Sequence, residues 1–135
     1  MLLPTTLLRH QPPGEPPHFD WLIPLPPHES GLSPRLWTAR VPTHWREWAA
    51  GARVGLSLLP PHRHRYLRWS GPLTGGRGWV HRDAQGLIEV HRWTSRYARL
   101  SLRYDAPRGV SIEIELDLHP RRPTMLIQSS SDSRG

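Results

Sequence analysis

The 135-residue chain contains no cysteine, which excludes disulfides, thiolate metal sites and a cysteine nucleophile. A chain with no disulfide framework fits a reducing compartment, and a cytoplasmic location is expected. Lysine is missing too, so all 18 basic residues counted in the net charge of +7 are arginine. The coding bias of a GC-rich genome explains the choice of arginine but not the net excess. A positive field of this kind points to a polyanion, and guanidinium groups grip phosphate and stack on bases. Long apolar runs are also absent. Met1 to Leu8 is interrupted by Pro4, Thr5 and Thr6, too short for a signal-peptide core. No stretch approaches the roughly 18 apolar residues of a membrane span, so no membrane partner is expected.

The chain is rich in residues that break helices, with 16 prolines and 11 glycines. They argue for short strands joined by tight turns. Seven tryptophans and many aliphatic residues can supply a core. The run from His10 to Pro17 carries Pro12, Pro13, Pro16 and Pro17, and predicts an extended arm over 1–17. A barrel is expected over 18–128, with a disordered serine-rich tail over 129–135. Strands are predicted at 18–25, 36–41, 54–59, 66–69, 79–82, 87–93, 98–104 and 110–118, and another through Met125-Leu126-Ile127. A polar loop is placed at Pro27–Pro34. One short helix is predicted over Thr43–Ala50, capped by Thr43 and ended by Gly51, with Trp45 and Trp48 on one core-covering face. The last long strand is the clearest. Val110, Ile112, Ile114, Leu116 and Leu118 alternate with Ser111, Glu113, Glu115 and Asp117, giving one dry and one wet face. The fold class is therefore all-β: a small closed or nearly closed antiparallel β-barrel of about eight strands with one short helix.

His18-Phe19-Asp20 opens the first predicted strand. Residues two apart on a strand point to the same side, so His18 and Asp20 present an imidazole and a carboxylate to one point. That pair suits a divalent metal or acid–base work on a phosphate. A second cluster is His62-Arg63-His64-Arg65-Tyr66. If extended, it lines up His62, His64 and Tyr66 on one face and Arg63 and Arg65 on the other. Gly75-Gly76-Arg77-Gly78 reads as a hairpin turn. His81 and His91 are expected to face each other across a hairpin and to pack rather than bind metal. Glu113, Glu115 and Asp117 read as a solvated strand face.

His18-Phe19-Asp20, Thr38 with Pro42, His62-x-x-x-Tyr66, Gly71 and then a glycine-rich turn occur in that order. The ordered set resembles the 3′-phosphoesterase domain of bacterial DNA-repair ligase D and its free-standing relatives, the DNA polymerase/ligase N-terminal-type proteins. The resemblance covers roughly residues 10 to 86. It implies a small β-barrel that trims 3′ ends of DNA or RNA with manganese or a similar divalent ion, zinc and cobalt among them. It implies metal ligands at His18 and Asp20, with His10 as the upstream histidine. His62 then acts at the scissile phosphate, as a catalytic residue together with Tyr66. Phosphate contacts would come from Arg53, Arg63, Arg65, Arg68 and Arg77. Partners implied are 3′ ends of DNA or RNA and end-joining repair proteins.

The chain departs from the pattern at informative places. Leu22 stands where the family has a phosphate-holding arginine two residues after the aspartate. Ala39 replaces the tryptophan of Trp-x-x-Pro, Thr43 replaces the lysine after that proline, and Pro60 and Pro61 replace acidic residues. Two expectations follow: a metal-dependent 3′-end phosphoesterase, or a barrel that recognises nucleic-acid ends with weakened chemistry. A protein-interaction barrel is a third, with no residue to single it out.

Overall fold

The apolar–polar alternation of Val110–Asp117 organises most of the chain. The computed structural model describes residues 2–25, 35–105 and 109–132; the loop expected at Pro27–Pro34 and the last residues, 133–135, lie outside them. Ten strands form one antiparallel sheet. They are β1 (Leu2–Gln11), β2 (His18–Ile23), β3 (Arg35–Val41), β4 (Arg53–Gly55), β5 (Ser57–Arg63), β6 (Gly71–Pro72), β7 (Trp79–Trp93), β8 (Tyr97–Tyr104), β9 (Val110–Asp117) and β10 (Thr124–Asp132). The hydrogen-bonded order is β4-β10-β9-β8-β7-β1-β2-β3-β5, with β6 pairing only β7. Among the described residues no helix is long and apolar enough to cross a membrane.

Hydrogen bonds do not close this order into a barrel, yet its two ends are covalent neighbours. β4 and β5 sit at opposite edges of the sheet and are separated only by Leu56. The buried Leu56 is pinned there by its N–H, which donates to the Pro123 carbonyl at 2.9 Å. The sheet must therefore curl far enough for its edges to meet at one residue. This corrects the expected single strand over 54–59, which is the crossing point instead. Pro60 and Pro61 lie inside β5, as an edge strand permits, because an edge needs only part of its ladder of donors.

The main core lies on one face of the curled sheet. Ile112, Ile114 and Leu116 of β9 are fully buried there with Leu100 and Leu102 of β8, and with Met125 and Ile127 of β10. Trp21 anchors the β2 side. Its indole N–H donates to Thr5 Oγ1 at 2.9 Å, and Thr5 donates to the Leu22 carbonyl at 2.7 Å. Pairing of this kind offsets the cost of burying these polar groups.

Four further expectations need correcting. The segment over 1–17 is not an arm, because β1 lies mid-sheet between β2 and β7. The prolines that suggested an arm begin only at Pro12, after the strand has ended, apart from Pro4. The strands expected at 79–82 and 87–93 are one 15-residue strand, β7. The Asp83–Gly86 sequence looks like a turn but is absorbed by a β-bulge: Leu7 pairs Ala84 while Leu8 pairs Arg82, leaving Asp83 as the extra residue. The helix expected over Thr43–Ala50 shrinks to a 3₁₀ turn at Trp45–Glu47. The tail expected over 129–135 is strand as far as Asp132, paired with β9.

His44, rather than Thr43, caps that turn: its Nδ1 accepts from the Arg46 backbone N–H at 3.1 Å. Burial, reinforced by the Arg46 charge, holds the His44 imidazole below its ordinary pKa of 6.5. A depressed folded pKa means that the neutral ring's contribution is complete above pH 6.5 and is lost as pH falls through the lower folded value. Urea unfolding at pH 7.5 and pH 5 is expected to show a loss in wild type that His44→Asn reduces by up to about 1 kcal/mol, since asparagine caps without a proton to gain. Equal losses in the two proteins would refute that role.

Candidate metal centre and cleft

Strand parity divides β1, β2 and β3 between two faces. Leu7, Trp21, Ile23, Ala39 and Val41 face the main core. Leu8, Leu22 and Leu36 face the other side, where they form a second small core with Leu67 and Val80, flanked by Tyr66 and Leu73. This second core is roofed by the segment between β5 and β7. Where its apolar floor ends, the same strand faces continue as polar residues: His10 on β1, His18 and Asp20 on β2, Arg40 on β3, and His62 on β5.

Register then brings these residues together. His10 pairs His18 across β1–β2, and Asp20 pairs Arg40 across β2–β3. One ligand atom from each of His10, His18 and Asp20 lies within 4.8 Å of the others, a group that could hold a metal ion. His18 Nε2 stands 3.6 Å from Asp20 Oδ1, and His62 Nε2 stands 3.5 Å from Asp20 Oδ2. Asp20 is only 3% exposed, and its Oδ1 is buried with no hydrogen-bond partner. A buried carboxylate oxygen without a donor is costly unless a positive charge compensates it. A divalent cation beside two imidazoles fits that need, and the His/His/Asp donor set suits manganese, zinc or cobalt.

The imidazoles are oriented by carbonyls, which can only accept. His10 Nε2 donates to the Arg77 carbonyl at 3.0 Å, leaving the lone pair of Nδ1 toward His18 Nε2 at 3.1 Å. Outer partners of this kind fix the tautomer of metal-binding histidines. His62 Nδ1 donates to the Pro60 carbonyl at 3.2 Å, which turns its Nε2 toward the Asp20 carboxylate. The His62 backbone N–H is held in turn by Thr38 Oγ1 at 3.3 Å. Burial lowers the pKa of His18, and the charges of Arg40 and His10 act the same way against the opposing pull of Asp20. A neutral ring with a free lone pair is the form that binds metal.

These groups open into a cleft of about 600 Å³, lined by His10, Asp20, Arg40, His62 and Tyr66 together with Arg63, Arg65 and Arg77. Tyr66 does not sit on an extended run with His62, because the chain turns into a 3₁₀ segment at His64–Leu67. The turn still brings the Tyr66 ring edge-on to His62, with centroids 5.8 Å apart. Arg65 lies over the rings of Tyr66 and Trp69 and donates to the Tyr66 hydroxyl at 3.3 Å. Arg77 is tethered to Thr74 by its Nε at 2.9 Å.

Two expected phosphate contacts fall elsewhere. Arg53 lies on β4, in a depression with Arg96, Tyr97 and Glu115. Arg68 borders a separate depression with Leu3, Pro4 and Pro24. His81 and His91 share β7 rather than facing across a hairpin. His91 Nε2 donates to Ser101 Oγ at 2.6 Å, and Ser101 donates to Glu113 at 2.7 Å. Glu113 is thus tied into a cross-strand network rather than simply solvated, while Gly75–Gly78 does form the β6–β7 hairpin.

Arg40 is the residue that sequence reading missed. Its Nε is 3.9 Å from Asp20 Oδ1, its side chain is 46% exposed, and it lines the cleft. The available signal was parity: Leu36, Thr38 and Arg40 share one side of a strand. Leu22, which stands where the resemblance places an arginine, is fully buried in the second core. A charge is excluded there, and the neighbouring strand carries one instead. No protein-family model and no curated protein matches the chain.

Proposed function

We propose that the chain is a divergent relative of the ligase D 3′-phosphoesterases, a metal-dependent enzyme that removes phosphate or a terminal ribonucleoside from 3′ ends of DNA or RNA. The observation that carries this reading is the convergence of His10, Asp20 and His62 from three different strands in an arginine-lined cleft, with His18 beside His10 and Asp20. His10, His18 and Asp20 would hold a divalent ion, which would supply Lewis-acid polarisation of a phosphoryl oxygen. Arg40, Arg65 and Arg77 neutralise the remaining phosphate charge and hold the terminal phosphate in line. His62, with its Nδ1 proton committed to Pro60, presents Nε2 to the reacting group. It takes the proton of an attacking water or, once protonated, gives one to the leaving oxygen. Tyr66 borders the same position and shares its hydroxyl with Arg65.

Arg40 bears on the alternative of a barrel that merely recognises ends. The absence of an arginine at residue 22 argued for lost chemistry, but a guanidinium opposite Asp20 serves the same charge. The test is direct. Purified protein with manganese, zinc or cobalt is expected to release phosphate from a 3′-phosphate primer. No turnover on any 3′-blocked DNA or RNA end, with each ion tried, would overturn the proposal.

A further inference from the structure

We infer that the indole of Trp79 is a stacking platform for a nucleobase of the strand whose 3′ end enters the cleft. The inference rests on the phosphoesterase reading and adds a second contact to it. Trp21, Trp45 and Trp48 are buried, whereas Trp79 is 60% exposed, the most exposed of the large apolar side chains described. Trp21, Trp37 and Trp93 pack edge-on in series, and Trp69 lies under Arg65. Among the described residues no ring or guanidinium covers Trp79.

Its position ties it to the cleft. Val80 lines the cleft and pairs His10; Trp79 pairs Gln11, about 3.4 Å further along the strand, and points to the opposite side. Trp79 borders a shallow shelf with Gln11, Pro12, Pro72, Leu73 and Gly78. Leu73 lines both depressions, so shelf and cleft adjoin across one residue. Their chemistries are complementary halves of a nucleotide. The cleft carries arginines, histidines and a carboxylate, whereas no charged residue lines the shelf. A phosphate suits the first, and a flat uncharged base suits the second. Every base has a π-face, so such a platform grips nucleic acid without reading its sequence.

The experiment uses manganese-loaded protein and a 5′-dye-labelled single-stranded DNA of about ten nucleotides with an uncleavable 3′-phosphonate end. Trp79→Ala is expected to weaken binding about 5- to 150-fold, the range found for one stacked base, while Trp79→Phe keeps most of the affinity. Abasic positions at the two terminal nucleotides should weaken wild type to a similar extent and leave Trp79→Ala unmoved. The exposed site lets the variant fold, which its melting curve checks. If Trp79→Ala binds as wild type does, or loses affinity equally for the abasic strand, the platform is overturned. Phosphate release by wild type in that case leaves the phosphoesterase reading standing. If wild type neither binds the strand nor releases phosphate, that reading falls and the platform with it. Concentration-dependent self-association of wild type that Trp79→Ala abolishes, with strand binding unchanged, would assign the shelf to a second copy of the chain and overturn base stacking.

Discussion

Asp20→Asn is expected to abolish phosphate release by removing the metal, whereas His62→Ala abolishes it with the metal still bound. The two side chains lie within 3.5 Å of each other, yet they answer different needs. Asp20 is the only anion of the proposed ligand group, and its Oδ1 is buried without a donor. Altering a partner that merely supports a metal ligand costs 10- to 100-fold in affinity, so losing the charged ligand should cost on the order of a hundredfold or more. Titration calorimetry with manganese measures it. His62 reaches the site from β5 through a different anchor, the Pro60 carbonyl. Its replacement should leave manganese affinity within about threefold and lower turnover by roughly 10² to 10⁴, the span of a positioned general acid or base. If His62→Ala loses the metal as Asp20→Asn does, His62 is a ligand and the division of roles is wrong. Melting of both metal-free variants separates these outcomes from unfolding.

Gly78→Ala should damage both stability and the candidate metal site, although residue 78 is not one of the proposed ligands. Gly78 has φ +94°, and a Cβ there would lie 2.0 Å from the Gln11 carbonyl oxygen and 3.0 Å from Pro12 Cα. Both obstacles are backbone, so no side-chain rotation relieves them. Backbone strain of this type costs about 1–3 kcal/mol, and overpacking adds about 1–3 kcal/mol. Relief requires the end of β1 to move, and Gln11 follows His10 directly. A loss of roughly 3 kcal/mol or more by urea unfolding is expected, with weaker manganese binding. Gly51→Ala is the control. Gly51 has φ +85° and nothing within 4 Å of a built Cβ, so it should lose only about 1–2 kcal/mol and bind metal normally. Equal losses at the two glycines would remove the proposed link between the hairpin and His10.

Much of the site was legible because parity along a strand is a local property. His18 and Asp20 share a side whatever the strand's neighbours are, and so do Ile112, Ile114 and Leu116. The β6–β7 hairpin was legible too, since Gly75–Gly78 supplies the positive φ values that a tight reversal needs. Other readings failed where a distant partner overrode local chemistry. Asp83–Gly86 has the composition of a turn, but β1 runs alongside and holds it extended. Thr43–Ala50 has the pattern of a helix, but Trp45 and Trp48 are drawn into the core and only one turn survives. His10 sits just before a proline-rich run, and nothing local places it between β2 and β7.

Determined by the sequence alone were the all-β character, the facing of individual strands, the His18–Asp20 pair and the basic charge. Each follows from neighbours along the chain and from side-chain chemistry. Strand order and register belong to the tertiary structure, because hydrogen bonds between strands join residues far apart in the chain. Those pairings set His10 against His18, placed Arg40 opposite Asp20, sent Arg53 to the far edge, and brought His62 within reach of a carboxylate 42 residues earlier. They also buried Leu22, so that the guanidinium beside the candidate metal group comes from a different strand.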